Sequence, residues 1–200
     1  MYTTVIFDLD GTLLDTLEDL YIAVNEGLKG VNMPLRTKEE VRSMVGNGAV
    51  NLMTRALGQN ATPQLIESAL TAFNSYYKVH CEDKTKPYDD VMMVLQTLKD
   101  KGVKIGVVSN KPNYAVQILV KNYFGDLVDF TLGEDEKNGI KKKPAPDSLL
   151  KTIQTLGGNL QSSVYVGDSE VDILTAKNTG IDCISCTWGF KDKKFLLENG

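Results

Sequence analysis

The stretch Val5-Ile6-Phe7-Asp8-Leu9-Asp10-Gly11-Thr12 constrains this chain more than any other. Three apolar residues run directly into two carboxylates separated by one leucine, and then a glycine. A short continuous apolar run fits a strand buried on both faces of a parallel sheet. Acid at the end of such a strand needs compensation, because two unit charges 4 Å apart repel by about 4 kcal/mol at an effective dielectric of 20. Residues two apart in extended chain face the same side, so Asp8 and Asp10 converge on one small space. Gly11 lets the backbone turn sharply there. The ordinary alternative is a strand followed by a polar turn, since Asp and Gly are turn residues.

The 200 residues suit one domain of ordinary size, or a core with a small insert, and 42% hydrophobic residues can build its interior. The net charge of -4, with no dominant basic stripe, argues against nucleic-acid binding. No apolar run approaches the roughly 18 residues of a membrane span. The N-terminus leads straight into the first strand and leaves no room for a signal peptide, so a cytoplasmic location is expected. Cys81, Cys183 and Cys186 are an odd set in such a chain and suggest free thiols. Cys183 and Cys186 have CxxC spacing, which zinc or redox chemistry also uses. Residues 181–187 nevertheless read as a buried strand, in which positions three apart point to opposite faces, so two buried thiols are expected. A lone histidine, His80, makes no metal site by itself.

Beyond the first strand the pattern turns helical. Asp15-Thr16 reads as an N-cap, and Leu17, Leu20, Tyr21, Val24 and Leu28 follow at helical spacing. Thr37 with Glu40 forms a capping box for a second helix. Gly46-Asn47-Gly48 interrupts before a third helix over 49–57, and Thr62-Pro63 opens a fourth. Residues 15–84 contain no convincing strand. From Tyr88 onward helices and strands alternate: helices over 91–101, 112–123, 146–156 and 171–179, strands over 104–108, 128–132, 164–166 and 181–187. Such alternation means βαβ units and a doubly wound parallel sheet, an α/β fold. The expected division is a core of 1–14 with 85–200 and a helical insert of 15–84.

In an open α/β sheet, ligands bind outside the carboxyl ends of the strands. The residues at those ends are Asp8 and Asp10, Ser109 and Asn110, then Gly167, Asp168 and Ser169. Asp172 follows one helical turn after Asp168 on the same face. Lys143, beside Pro144 and Pro146, supplies an ammonium. An all-oxygen donor set suits Mg²⁺ rather than zinc or copper.

Four ordered motifs, Asp8-Leu9-Asp10-Gly11-Thr12, Ser109, Lys143-Pro144 and Gly167-Asp168-Ser169-Glu170-Val171-Asp172, resemble those of the haloacid dehalogenase superfamily of aspartate-nucleophile phosphatases. The resemblance covers nearly the whole chain and implies a Rossmann-like core with the helical run as an inserted cap. It implies Asp8 as nucleophile and Asp10 as general acid and base. Mg²⁺ would be held by Asp8, Asp168 and the Asp10 carbonyl. Ser109, Asn110 and Lys143 would bind the phosphoryl oxygens, and Asp172 would orient a metal-bound water or Lys143. Glu170 is read as solvated. Val45-Gly46-Asn47-Gly48 with Arg55, Ser109-Asn110-Lys111-Pro112 and Lys142-Lys143-Pro144 resemble most the members that hydrolyse 2-phosphoglycolate. Pro87-Tyr88 fits the second hinge of these enzymes, with Asp89-Asp90 standing where they carry Pro-Gly. Gly46, Asn47, Gly48 and Arg55 are then the expected specificity residues of the cap. The expected partner is a small phosphorylated metabolite, with no nucleic acid and no membrane, and the expected assembly is a monomer or homodimer. The alternatives are another phosphatase, pyrophosphatase or phosphosugar mutase of the superfamily, or a non-catalytic binding protein on the same fold.

Overall fold

The computed structural model describes all 200 residues. They divide into two compact units, Met1–Asp15 with Pro87–Gly200, and Thr16–Lys86. The chain enters on β1 (Thr4–Phe7), every residue of which is buried, and leaves the first unit through a two-residue strand, β2 (Leu14–Asp15).

The helical unit follows. Helix α1 (Leu17–Lys29) buries Leu20, Ala23, Val24 and Leu28, one stripe at helical spacing. Thr16 stands at its N-cap position but makes no capping hydrogen bond. Its ψ of 3° departs from the extended geometry that aims a cap hydroxyl at the first amides. Helix α2 (Lys38–Met44) does carry the expected box: the Glu40 amide donates to Thr37 Oγ1 and the Thr37 amide to Glu40 Oε2. Helix α3 (Gly48–Leu57) and helix α4 (Pro63–His80) complete the unit, the latter started by the Thr62 hydroxyl accepting from the Leu65 amide. Helix α4 packs on α1 where Gly27 leaves no room: a Cβ there would stand 2.8 Å from Met53 Cε and 2.9 Å from the Ala69 carbonyl. The Asp19 carboxylate, 2% exposed, accepts from the Lys84 amide at 3.0 Å and from the Thr85 amide and hydroxyl at 2.8 Å. One side chain in the first turn of α1 thus fixes the far end of the same unit.

The chain returns through β3 (Lys86–Pro87) to α5 (Val91–Asp100), β4 (Lys104–Pro112), α6 (Asn113–Phe124), β5 (Phe130–Glu134), α7 (Asp147–Thr155), β6 (Ser163–Gly167), α8 (Glu170–Thr179), β7 (Asp182–Ser185) and α9 (Lys193–Asn199). Asp90, ahead of α5, has φ 63°. Its short polar side chain lets it take a left-handed conformation that most residues avoid. The main sheet has strand order β5-β4-β1-β6-β7 with every pair parallel. The connections run outward from β1 through β4 to β5, then return to β6 beside β1, so the topological switch lies at the centre of the sheet.

One sheet face carries Ile6, Val108, Leu132 and Tyr165 against Leu149 and Ile153 of α7 and Ala176 of α8. The opposite face presents Val5, Phe7, Val164 and Val166 to an apolar groove of about 980 Å³, bordered by Val94 and Leu98 of α5. Three features depart from expectation. Strand β4 runs on to Pro112 with an irregularity after Val108. Strand β7 is the sheet edge, so Cys183 is only half-buried while Cys186 is buried. Helix α9 lies beyond the expected elements, and Asp192 caps it by accepting from the Phe195 amide. No helix is long and apolar enough to cross a membrane.

Candidate active site

The register of the central strands builds the site. Phe7 pairs with Val107 on one side and Val166 on the other, and the Asp8 amide still donates to the Val166 carbonyl at 2.8 Å. One or two steps further along three parallel strands come Asp8, Ser109 and Asp168, residues far apart in the chain and brought to the carboxyl ends of the three central strands. Asp8, Asp168 and Asp172 are all buried and place carboxylate oxygens within 4.8 Å of one another.

Lys143 stands among them. Its ammonium is 2.8 Å from Asp8 Oδ1 and 2.8 Å from Asp172 Oδ1, and donates to the Tyr165 hydroxyl at 2.8 Å. Its backbone is held by Asn110, whose side-chain amide donates to the Lys143 carbonyl and accepts from the Lys143 amide. Asp172 is the hub of a polar cluster. It accepts from the Ser169 hydroxyl and amide, from the Asp168 amide and from the Tyr165 hydroxyl. With Ser169 it forms a reciprocal capping box at the start of α8. Gly167 is required beneath it, because a Cβ there would collide with Asp172.

Charge balance in the cluster is incomplete. Burial raises the Asp8 pKa well above the usual carboxylate range; Lys143 pulls it down, and Asp172 and Asp168 push it back up. Burial, with Asp172 beside it, lifts Asp168 to about 7. Burial opposes the charge on Lys143, but Asp172 and Asp8 more than offset it and hold its pKa raised. Three buried carboxylates therefore share one ammonium, an arrangement that a hard cation would complete. The all-oxygen donors and the raised Asp8 and Asp168 fit Mg²⁺.

Asp168 is fixed by the Phe190 amide, which donates to Oδ2 at 2.7 Å. Gly11, with φ 87°, and Gly189 both lie so close to Asp168 that neither has room for a side chain. The Asp10 carboxylate points elsewhere, to Lys111: the ammonium is 2.7 Å from Oδ1, with side chains 2% and 13% exposed. The Lys111 amide in turn donates to Ser109 Oγ.

The core unit thus brings together Asp8, Ser109, Asn110, Lys143, Asp168 and Asp172, with Asp10 on the same turn. The Asn110 side chain serves the Lys143 backbone, a role its place at a strand end did not suggest. Glu170, read as solvated, instead has Oε2 buried with no hydrogen-bond partner, because the first turn of α8 is packed against the core. Gly46, Asn47, Gly48 and Arg55 lie together in the helical unit. Gly46 and Gly48 take φ of 120° and 81°, and Arg55 donates to the Met44 carbonyl, bracing the loop between α2 and α3. Lys111, Tyr165, Gly189 and Phe190 were missed as site residues. Lys111 follows Ser109 by two positions, the spacing that puts residues of one strand on one side, and that signal was available.

These features find counterparts in known proteins. A phosphoglycolate phosphatase of Colwellia psychrerythraea is 35% identical over 203 residues, 98% of this chain and 89% of that one. Another from Pseudomonas putida is 36% identical over 192 residues, covering 93% and 70%. A crystal structure from Lactobacillus delbrueckii subsp. bulgaricus, provisionally named a phosphoglycolate phosphatase, superposes with a TM-score of 0.95 at 38% identity, covering 100% of this chain and 92% of that one. The sequence matches the haloacid dehalogenase-like hydrolase family over residues 5–186, and with the strand-end carboxylates in place the chain belongs to that family.

Proposed function

We propose that this hydrolase cleaves a small phosphomonoester, 2-phosphoglycolate, through a phosphoryl group carried on Asp8. The observation that carries the chemistry is the buried Asp8–Lys143 pair at the end of β1, 2.8 Å apart and beside Asp168. The choice of substrate leans on relatives about 35% identical over nearly the whole chain.

An Asp8 oxygen attacks phosphorus, a P–O bond to Asp8 forms, and the ester P–O bond breaks. Asp10, which must enter this step in its protonated form, gives its proton to the departing oxygen, releasing glycolate. Asp10, now a carboxylate, takes a proton from water as the water oxygen attacks phosphorus, and the bond to Asp8 breaks to free phosphate. Ser109 and Lys143 hold the phosphoryl oxygens, with Lys143 aimed by Asn110, Tyr165 and Asp172. Asp8, Asp168 and the Asp10 carbonyl would hold Mg²⁺, which when bound neutralises charge developing on the phosphoryl group.

The test is acid-quenched turnover of labelled 2-phosphoglycolate. Label is expected on Asp8 in the parent protein and absent from Asp8→Asn, with turnover lost. Asp10→Asn is expected to lose about 10² to 10⁴-fold on 2-phosphoglycolate and much less on p-nitrophenyl phosphate, whose leaving group needs no proton. Equal losses on both esters would remove Asp10 from the acid role. Turnover of p-nitrophenyl phosphate without 2-phosphoglycolate would leave a phosphatase of different substrate.

A further inference from the structure

Each of the two aspartates on the β1 turn has its own buried ammonium. Lys143 serves Asp8, and Lys111 serves Asp10 at 2.7 Å. The mechanism uses Lys143 and gives Lys111 nothing to do. Yet Lys111 is only 5% exposed, and a lysine is rarely buried without a strong reason. Its backbone is pinned by Ser109, the residue that faces the phosphoryl group, so its position is set by the site itself.

We propose that Lys111 reads the carboxylate of the substrate, exchanging its partner from Asp10 to the substrate anion as the substrate enters. The inference rests on the 2-phosphoglycolate reading and deepens it. The atom that Asp10 must reach is the ester oxygen. One Asp10 side chain serves both positions, so the Lys111 ammonium and the ester oxygen each lie within a hydrogen bond of the arc that this short carboxyl group sweeps. In 2-phosphoglycolate one methylene separates the ester oxygen from the carboxylate, so the carboxylate falls within reach of the Lys111 ammonium. The exchange does two things at once. A charge-assisted bond selects an anionic leaving group over a neutral one of similar size. It also removes the ammonium that ties Asp10 back, so that the carboxyl group turns to the ester oxygen only when the right leaving group is present. A neutral ester leaves Asp10 where it is. The substrate class follows: phosphomonoesters with an anionic group one carbon from the ester oxygen. The reader of that anion lies on β4 in the core unit.

Binding of two unreactive ligands in the presence of Mg²⁺ tests this: 3-phosphonopropionate, which carries the carboxylate, and propylphosphonate, which lacks it. Calorimetry on the parent protein is expected to give a preference for the carboxylate of about tenfold or more, the scale of one hydrogen bond to a charged group. Lys111→Met should bring the two ligands within about twofold, less than the scale of a single weak hydrogen bond. Asp10→Asn should widen the preference, because the ammonium no longer has the Asp10 carboxylate as a competing partner. The double variant Asp10→Asn with Lys111→Met keeps the local net charge of the parent and strands no buried ion. It should show no preference, and it serves if Lys111→Met alone does not fold. A preference in the parent that survives in the double variant overturns the role of Lys111 and leaves the substrate reading standing. No preference in the parent overturns the substrate reading itself.

Discussion

Both ends of the Asn110 side chain are bonded to the backbone of Lys143, the amide donating to the carbonyl at 2.9 Å and the oxygen accepting from the amide at 2.8 Å. Two groups buried at 5% and 4% exposure are thereby locked together across 33 residues of sequence. Asn110→Ala leaves two buried backbone groups unsatisfied, each costing about 1–3 kcal/mol. The expected result is a lower Tm together with a fall in kcat/KM of about a hundredfold, since Lys143 loses its aim. A higher KM at unchanged Tm would instead mean that Asn110 binds the phosphoryl group directly.

A metal ion held by the acid cluster would bind in a pH-dependent way. Asp168 keeps its proton up to about pH 7 when folded, whereas an unfolded aspartate loses it near 3.9. The folded state therefore binds more protons between those values, and stability falls as pH rises through that window. A divalent cation competes with the proton for the same oxygens. The metal-free protein should melt lower at about pH 8 than at about pH 6, and the Tm gain from Mg²⁺ should be larger at the higher pH. Thermal melts with chelator and with Mg²⁺ measure both; a gain that shrinks with rising pH would falsify the assignment of Asp168 to the metal.

Gly189 is predicted to be irreplaceable for a reason of space. A Cβ would meet the Asp168 side chain and the Gly11 carbonyl, neither of which can swing away. In Gly189→Ala the loop must shift and carry the Phe190 amide off Asp168. Mg²⁺ affinity should drop about 10–100-fold, the usual consequence of disturbing a group that orients a metal ligand. Unchanged Mg²⁺ titration with normal folding would place the metal elsewhere.

Asp19 gives a prediction about the helical unit alone. Its carboxylate satisfies two backbone amides and a hydroxyl at the far end of the unit. Asp19→Ala takes this partner from the Lys84 and Thr85 amides, while the Thr85 hydroxyl keeps the Cys81 carbonyl, and a loss of about 1–3 kcal/mol per stranded amide is expected. Hydrogen exchange at Lys84 and Thr85 should accelerate more than exchange in β1. Uniform acceleration would mean that the two units unfold as one.

The four motif positions were legible because their chemistry contradicts their surroundings. Acid at the end of an apolar run, as at Asp8 and Asp168, is a conflict that the local sequence displays by itself. Tyr165 was invisible for the opposite reason. It sits mid-strand at 0% exposure and looks like any core aromatic, and only the register that places it opposite Ile6 brings its hydroxyl to Lys143. The Gly189-Phe190 loop touches Asp168 across 21 and 22 residues, a proximity no local pattern encodes. Strand β7 misled because its apolar residues suggested burial on both faces, whereas an edge strand leaves Ile184 50% exposed. In the helical unit, caps with a local hydrogen-bond partner, such as Thr37 with Glu40, were read correctly. Thr16 was read at the right position, but the ψ of 3° that keeps its side chain from capping is not a local sequence signal.

The central place of β1 also fixes an order in time. It is synthesised before its neighbours, yet both flanking strands lie far downstream: β4 begins at Lys104 and β6 at Ser163. At about 5–20 residues per second, the first of them emerges on the order of 5–20 seconds after β1. During that wait a strand buried along its whole length in the finished protein has no ladder to join. The helical unit is a single uninterrupted run from Thr16 to Lys86, so all of it is made before β4 begins. The nascent chain thus passes through a stage in which the helical run is fully synthesised and the strand end bearing Asp8 and Asp10 is still orphaned. Asp8 and Asp168 cannot come together until β6 leaves the ribosome, so no growing chain shorter than that holds the carboxylate cluster.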